Sequence, residues 1–175
     1  VDEPLPLERI PEVIDAFVAK IRRYRNIGYD GVTLRCDLEI LPRGTRRGDA
    51  YDGATIQTRS LFLRQLYARV KEAFGPDFIT EAQIAWEQPW GYGHRTPPGM
   101  CVTADEVAEF CALMDEHVDI FQIREHDATR SHPTGYNFTF GDHPAVEFAA
   151  RLKREGITAL LAPIGGFQEP DEMEG

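Results

Sequence analysis

Apolar residues along the chain switch between two periods. Ile10, Val13, Ile14, Phe17, Ile21 and Tyr24 recur at helical spacing, and the pattern stops at Gly28, as a helix C-terminus favours. GVTLRC, residues 31–36, is a short β-rich run punctuated by Asp30 and Gly31, and it predicts the first strand. The helical period resumes between Arg59 and Phe74 through Leu61, Leu63, Leu66, Tyr67 and Val70, and Gly75-Pro76 ends it. FITEAQIAW, residues 78–86, predicts the second strand. Thr103-Ala104-Asp105-Glu106 is a capping box, because Thr103 can accept from the Glu106 amide while Glu106 reaches back, and it predicts a helix over about 104–116. VDIFQI, residues 118–123, predicts the third strand. Asp142 and Pro144 open a helix that runs through Arg154 and closes at Gly156. ITALLAPI, residues 157–164, predicts the fourth strand and runs into Gly165-Gly166.

Strands separated by amphipathic helices form right-handed βαβ units, so the expected fold class is α/β: a parallel (β/α) repeat of about four units. The connections are unequal. Those after helices are short, from Gly28 to Gly31, Gly75 to Phe78 and Gly156 to Ile157, whereas those after strands run about ten to twenty residues, past the usual two to six. Long loops then gather at the carboxyl edge of the sheet, where parallel α/β folds place function.

With 42% hydrophobic and 27% charged residues, the 175 residues suffice for one domain with a core. No run approaches eighteen apolar residues, and the start, VDEPLPLERIPEV, lacks the basic-then-apolar order of a signal peptide. A soluble, cytoplasmic chain without a membrane partner is expected. Cys36, Cys101 and Cys111 lie far apart and read as reduced thiols. A formal charge of −10 repels phosphate backbones, so no nucleic-acid partner is expected. His126, His132 and His143 match no metal-ligand spacing, and no metal is expected.

One loop carries more information. Arg47-Gly48-Asp49-Ala50-Tyr51-Asp52-Gly53, followed by Arg59 and a helix, resembles the R-x-D-x-Y-G-G-S-x-x-N-R signature of the old yellow enzyme family of flavin-dependent TIM barrels. Gly28-Tyr29-Asp30-Gly31-Val32 is similar to that family's entry to barrel strand four, and Gly75-Pro76-Asp77-Phe78 to its lead into strand five. Ile164-Gly165-Gly166-Phe167, with Pro170-Asp171-Glu172, is similar to its phosphate loop after strand seven. VDIFQI leading into a long Asp-containing loop, with an aromatic-rich loop after strand five, leans toward the branch containing trimethylamine dehydrogenase and the dienoyl-CoA reductases. The resemblance implies a partial TIM barrel spanning strands four to seven, because a full barrel takes about 250 residues. Strands one to three and strand eight have no counterpart. It also implies that missing barrel segments or another chain complete the fold.

The same resemblance implies an FMN cofactor, NAD(P)H as an electron donor, a small-molecule substrate, and hydride transfer to an unsaturated carbonyl or from an amine. Gly165 and Gly166 would hold the FMN phosphate through backbone N–H groups. Gln83 stands where the family often has an Arg beside the flavin; a neutral amide donates to N1 or O2 without charge, so the flavin potential should fall. Arg35-Cys36-Asp37-Leu38 replaces the His-x-x-His or His-x-x-Asn pair that polarises an enone carbonyl, leaving Arg35 to bind by charge while Leu38 donates nothing. Arg124 and His126 alternate toward one side of a strand end, and His126 can act as an acid or base with Asp127 orienting it. Arg35, Arg124 and His126 are the candidate substrate residues.

The loop Trp86-Glu87-Gln88-Pro89-Trp90-Gly91-Tyr92-Gly93-His94 could form an aromatic cage for a quaternary ammonium, or Trp86 could end its strand as core under a covering lid. Two other classes of function stay open at this point. One is a catalytically silent or truncated barrel half, and the other a non-flavin barrel enzyme using the same phosphate loop. A Schiff-base aldolase is disfavoured, since Lys20, Lys71 and Lys153 all fall on predicted helices.

Overall fold

The computed structural model describes residues 5–36, 47–86, 102–124 and 144–164. Its order is α1 (Ile10–Asn26), β1 (Gly31–Arg35), α2 (Ile56–Arg59), α3 (Leu61–Phe74), β2 (Ile79–Ala85), α4 (Ala104–Met114), β3 (Ile120–Arg124), α5 (Pro144–Arg154) and β4 (Leu160–Ile164). The strands form one four-stranded sheet in the order β1-β2-β3-β4, every neighbouring pair parallel. This is the expected α/β repeat, a partial TIM barrel.

Helix ends follow local chemistry. At the end of α1, Gly28 takes φ 104°, its N–H reaches Arg25 O at 3.0 Å, and Tyr29 N–H reaches Tyr24 O at 3.2 Å. That pair of bonds is a Schellman motif, and the flanking Tyr24 and Tyr29 rings meet edge to face with centroids 5.9 Å apart. α5 ends the same way at Gly156, φ 96°, with Ile157 N–H on Leu152 O at 3.1 Å. The capping box at Thr103 and Glu106 is formed. A second one, Thr55 with Thr58, opens the short α2, so the single helix expected from Arg59 is two helices meeting at Ser60.

Strand alternation sorts the sheet into two faces. Leu34, Ala82, Ile84, Phe121, Ile123 and Leu161 face the helices, in a core that also holds Tyr67, Phe110 and Leu152. A second cluster places Ile10, Ile14, Val18 and Ile21 of α1 against Leu66, Val70 and Phe78. No described helix covers the other face. Gly31 lies on it where a Cβ would stand 2.5 Å from Ile79 O, so the close approach of β1 to β2 requires glycine there.

Two aspartates brace the amino edge. Asp119 Oδ2 accepts from Lys71 Nζ at 2.5 Å and Thr80 N at 2.7 Å. Asp115 accepts from Thr158 N at 2.9 Å, Thr158 Oγ1 at 2.8 Å and Ala159 N at 2.9 Å. Each locks a helix-to-strand junction, which leaves the carboxyl edge, with its long connections, free for other work. Among the described residues, no helix is long and apolar enough to cross a membrane. Cys36 and Cys111 are buried thiols, and burial pushes the Cys111 thiol well up; Cys101 lies outside the described residues.

Candidate active site at the carboxyl edge

The face without helices is polar along its middle. Thr33 and Arg35 on β1 pair in register with Glu81 and Gln83 on β2, and Gln83 and Ala85 pair with Gln122 and Arg124 on β3. Arg35, Gln83 and Arg124, three of the six expected site residues, therefore share one face at the carboxyl half of the sheet. His126, Gly165 and Gly166 lie outside the described residues, as do Asp127 and the loop from Glu87 to Cys101.

Charge on this face is graded. Glu81 lies one register row nearer the amino edge, and beyond it the described residues supply two guanidinium groups, Arg35 and Arg124, and two amides, Gln83 and Gln122, with no carboxylate. In a chain of net charge −10 this is a local donor-rich zone, suited to an anionic group or to the carbonyl edge of a flat ring. Arg35 is exposed and Arg124 half-buried.

Sequence reasoning missed Thr33, Glu81 and Gln122. Thr33 Oγ1 donates to Glu81 Oε2, Gln122 Nε2 donates to Glu81 Oε1 at 3.2 Å, and Gln83 Nε2 donates to Gln122 Oε1. The signal was present: buried strands of parallel sheets read as nearly continuous apolar runs, yet Glu81, Gln83, Gln122 and Arg124 break β2 and β3 at every second position. Half-buried polar residues on one side of such strands need a polar function or a polar partner.

The loop that carries the RGDAYDG stretch is held by its own side chains. Asp52 Oδ2 accepts from the backbone N–H of Arg47 at 2.9 Å and of Gly48 at 3.0 Å. Arg47 pairs with Asp49 at 3.0 Å and donates to Leu5 O at 2.8 Å, and this guanidinium holds the Asp49 carboxyl below its usual value. Tyr51 donates its hydroxyl hydrogen to Gln65 Oε1 at 2.7 Å, fastening the loop to α3. Arg59, at the end of the stretch, is 1% exposed and pairs with Glu106 at 2.6 Å, tying the loop's helix to α4. Trp86 packs against the main core, which fits a strand end rather than a cage wall.

Comparison with known proteins places this fold. Over 98% of its length the chain superposes with TM-score 0.78 on histamine dehydrogenase from Rhizobium sp. 4-9, at 19% identity and covering 24% of that chain. It superposes with TM-score 0.77 on 2-naphthoyl-CoA reductase, at 20% identity and 26% of that chain. TcOYE matches with TM-score 0.60 over 99% of this chain and 51% of its own, at 19% identity. These neighbours are flavin-dependent TIM-barrel oxidoreductases of the old yellow enzyme family, the family that the motifs resemble. A curated relative, named metal reductase, from Desulforamulus reducens is 29% identical over 115 residues, covering 62% of this chain and 16% of the relative. The chain thus spans about half or less of the proteins it resembles. No protein-family model matches it.

Proposed function

We propose that this chain is the strand-four-to-seven portion of an FMN-dependent oxidoreductase barrel, acting in hydride transfer with an unsaturated carbonyl or amine substrate. The observation that carries the reading is the donor-rich carboxyl half of the uncovered face, in a sheet whose order and direction are those of consecutive barrel strands. Its residues suit FMN. Gln83 offers an uncharged amide to a ring edge, Arg124 on the neighbouring strand adds positive charge, and the Gly165-Gly166 pair after β4 is assigned to the phosphate. FMN, when bound, supplies the hydride chemistry. The protein's part is to bind and orient: Arg35 and Arg124 hold the polar end of the substrate, His126 exchanges a proton with it, and NAD(P)H is the assigned donor. Among the old yellow enzyme neighbours, the higher TM-scores of histamine dehydrogenase and naphthoyl-CoA reductase favour the amine-dehydrogenase and dienoyl-CoA-reductase branch. The name of the metal reductase relative supports the redox half of the reading.

The remaining strands are assigned to segments outside these residues, because a flavin ring held at the carboxyl edge of four strands alone would lie open to water on one side. The test is the visible spectrum of the full-length protein. Absorbance near ~450 nm that bleaches on addition of NAD(P)H is expected from flavin chemistry. A colourless protein that takes up no added FMN would refute the proposal.

A further inference from the structure

The Gln83 amide is the last member of a hydrogen-bond relay that draws on three strands and converges on Glu81. Thr33 and Gln122 both donate to the Glu81 carboxylate, from β1 and β3 respectively. A carboxylate only accepts, so Gln122 turns its NH2 to Glu81 and its carbonyl to Gln83. Gln83 must then turn its own NH2 to Gln122. The Glu81 carboxylate thereby fixes two amide orientations that the positions of nitrogen and oxygen alone leave interchangeable. Gln83 Oε1 is left outside the relay, and among the described residues it takes no other hydrogen bond.

We infer that Glu81 and Gln122 are positioning residues that hold the Gln83 amide with its carbonyl presented to the ligand, selecting a ring edge that bears an N–H, as in the imide of a pyrimidine-type ring, over an edge of acceptors alone. The inference rests on the flavin reading above and deepens it. The expectation from the sequence was that Gln83 donates to the ring; with its NH2 committed to Gln122, the carbonyl becomes its leading contact. Glu81 acts without touching the ligand. On this face it lies one register row below Gln83, and among the described residues it reaches Gln83 through Gln122.

The test uses the full-length protein labelled with 15N-glutamine, where the side-chain NH2 signals of Gln83 are identified by their loss in Gln83→Leu. In Glu81→Gln the relay can run either way, so the Gln83 signals should move or double while the backbone spectrum is retained. FMN titrated into that variant should bind about tenfold more weakly, the loss expected for one misdirected hydrogen bond. Thr33→Val, which leaves the Glu81 carboxylate facing Gln122, should change neither. If Glu81→Gln does not fold, Gln122→Met provides the same break in the relay and should move the same signals. Gln83 signals indifferent to both Glu81→Gln and Gln122→Met would overturn the relay. Equal FMN affinity in wild type and Glu81→Gln would overturn the ligand selection alone. A responsive Gln83 in a protein that takes no FMN would instead overturn the flavin reading, and the ligand selection with it.

Discussion

Asp119 gathers Lys71 Nζ, Thr80 N and Thr80 Oγ1 on one carboxylate oxygen, and Asp115 gathers Thr158 and Ala159. Burial alone would raise both carboxyls, but these donors outweigh it and hold both below their usual value. The folded state therefore binds fewer protons than the unfolded chain, and the stability from these groups is complete above the unfolded Asp value of about 3.9. It is lost as pH falls through the lower folded values. Thermal melts should accordingly decline from about pH 4 downward, and Asp115→Asn or Asp119→Asn should lower the melting temperature at neutral pH while flattening the acid decline; an unchanged acid slope in both variants would contradict this. Arg59 presents a different case. It is 1% exposed against Glu106, so Glu106→Ala removes the carboxylate from a buried guanidinium and should cost about 3 kcal/mol in urea denaturation. Glu72→Ala, which breaks an exposed pair with Arg69, should cost less than about 1 kcal/mol.

Elements end where hydrogen bonds find better partners. Ile157 N–H closes α5 on Leu152 O, and the next two amides go to Asp115, so β4 begins at Leu160 rather than at the Ile157 expected from its apolar run. Gly156 sits at φ 96° with no atom within 4 Å of the point a Cβ would occupy, so Gly156→Ala meets backbone strain alone and should destabilise by roughly 1–2 kcal/mol in the same denaturation assay. The capping box at Thr103 could be read from four consecutive residues. The one at Thr55 could not, since its N3 residue is Thr58 and not the Glu or Gln that marks such a box. Of the candidate site, Arg35 and Gln83 were legible through the family resemblance and Arg124 through alternation at a strand end. Thr33, Glu81 and Gln122 were not, because their roles come from register between strands distant in sequence, and register appears only once the strands pair.

The whole molecule divides its labour between two edges. Aspartate braces and Schellman turns occupy the amino edge, while Arg and Gln side chains collect at the carboxyl edge. The sheet order β1-β2-β3-β4 leaves β1 and β4 each with one neighbour among the described strands, and open parallel edges are filled by other strands in a closed barrel. The central claim is that the uncovered face is the interior of such a barrel, with its donor-rich half turned to FMN. A crystal structure of the full-length protein grown with FMN tests it most directly. In it β1 to β4 should stand as four consecutive strands of a closed eight-stranded barrel, with the Gln83 carbonyl against the flavin ring. Helices packed over both faces of the sheet, or FMN bound away from the carboxyl edge, would contradict it.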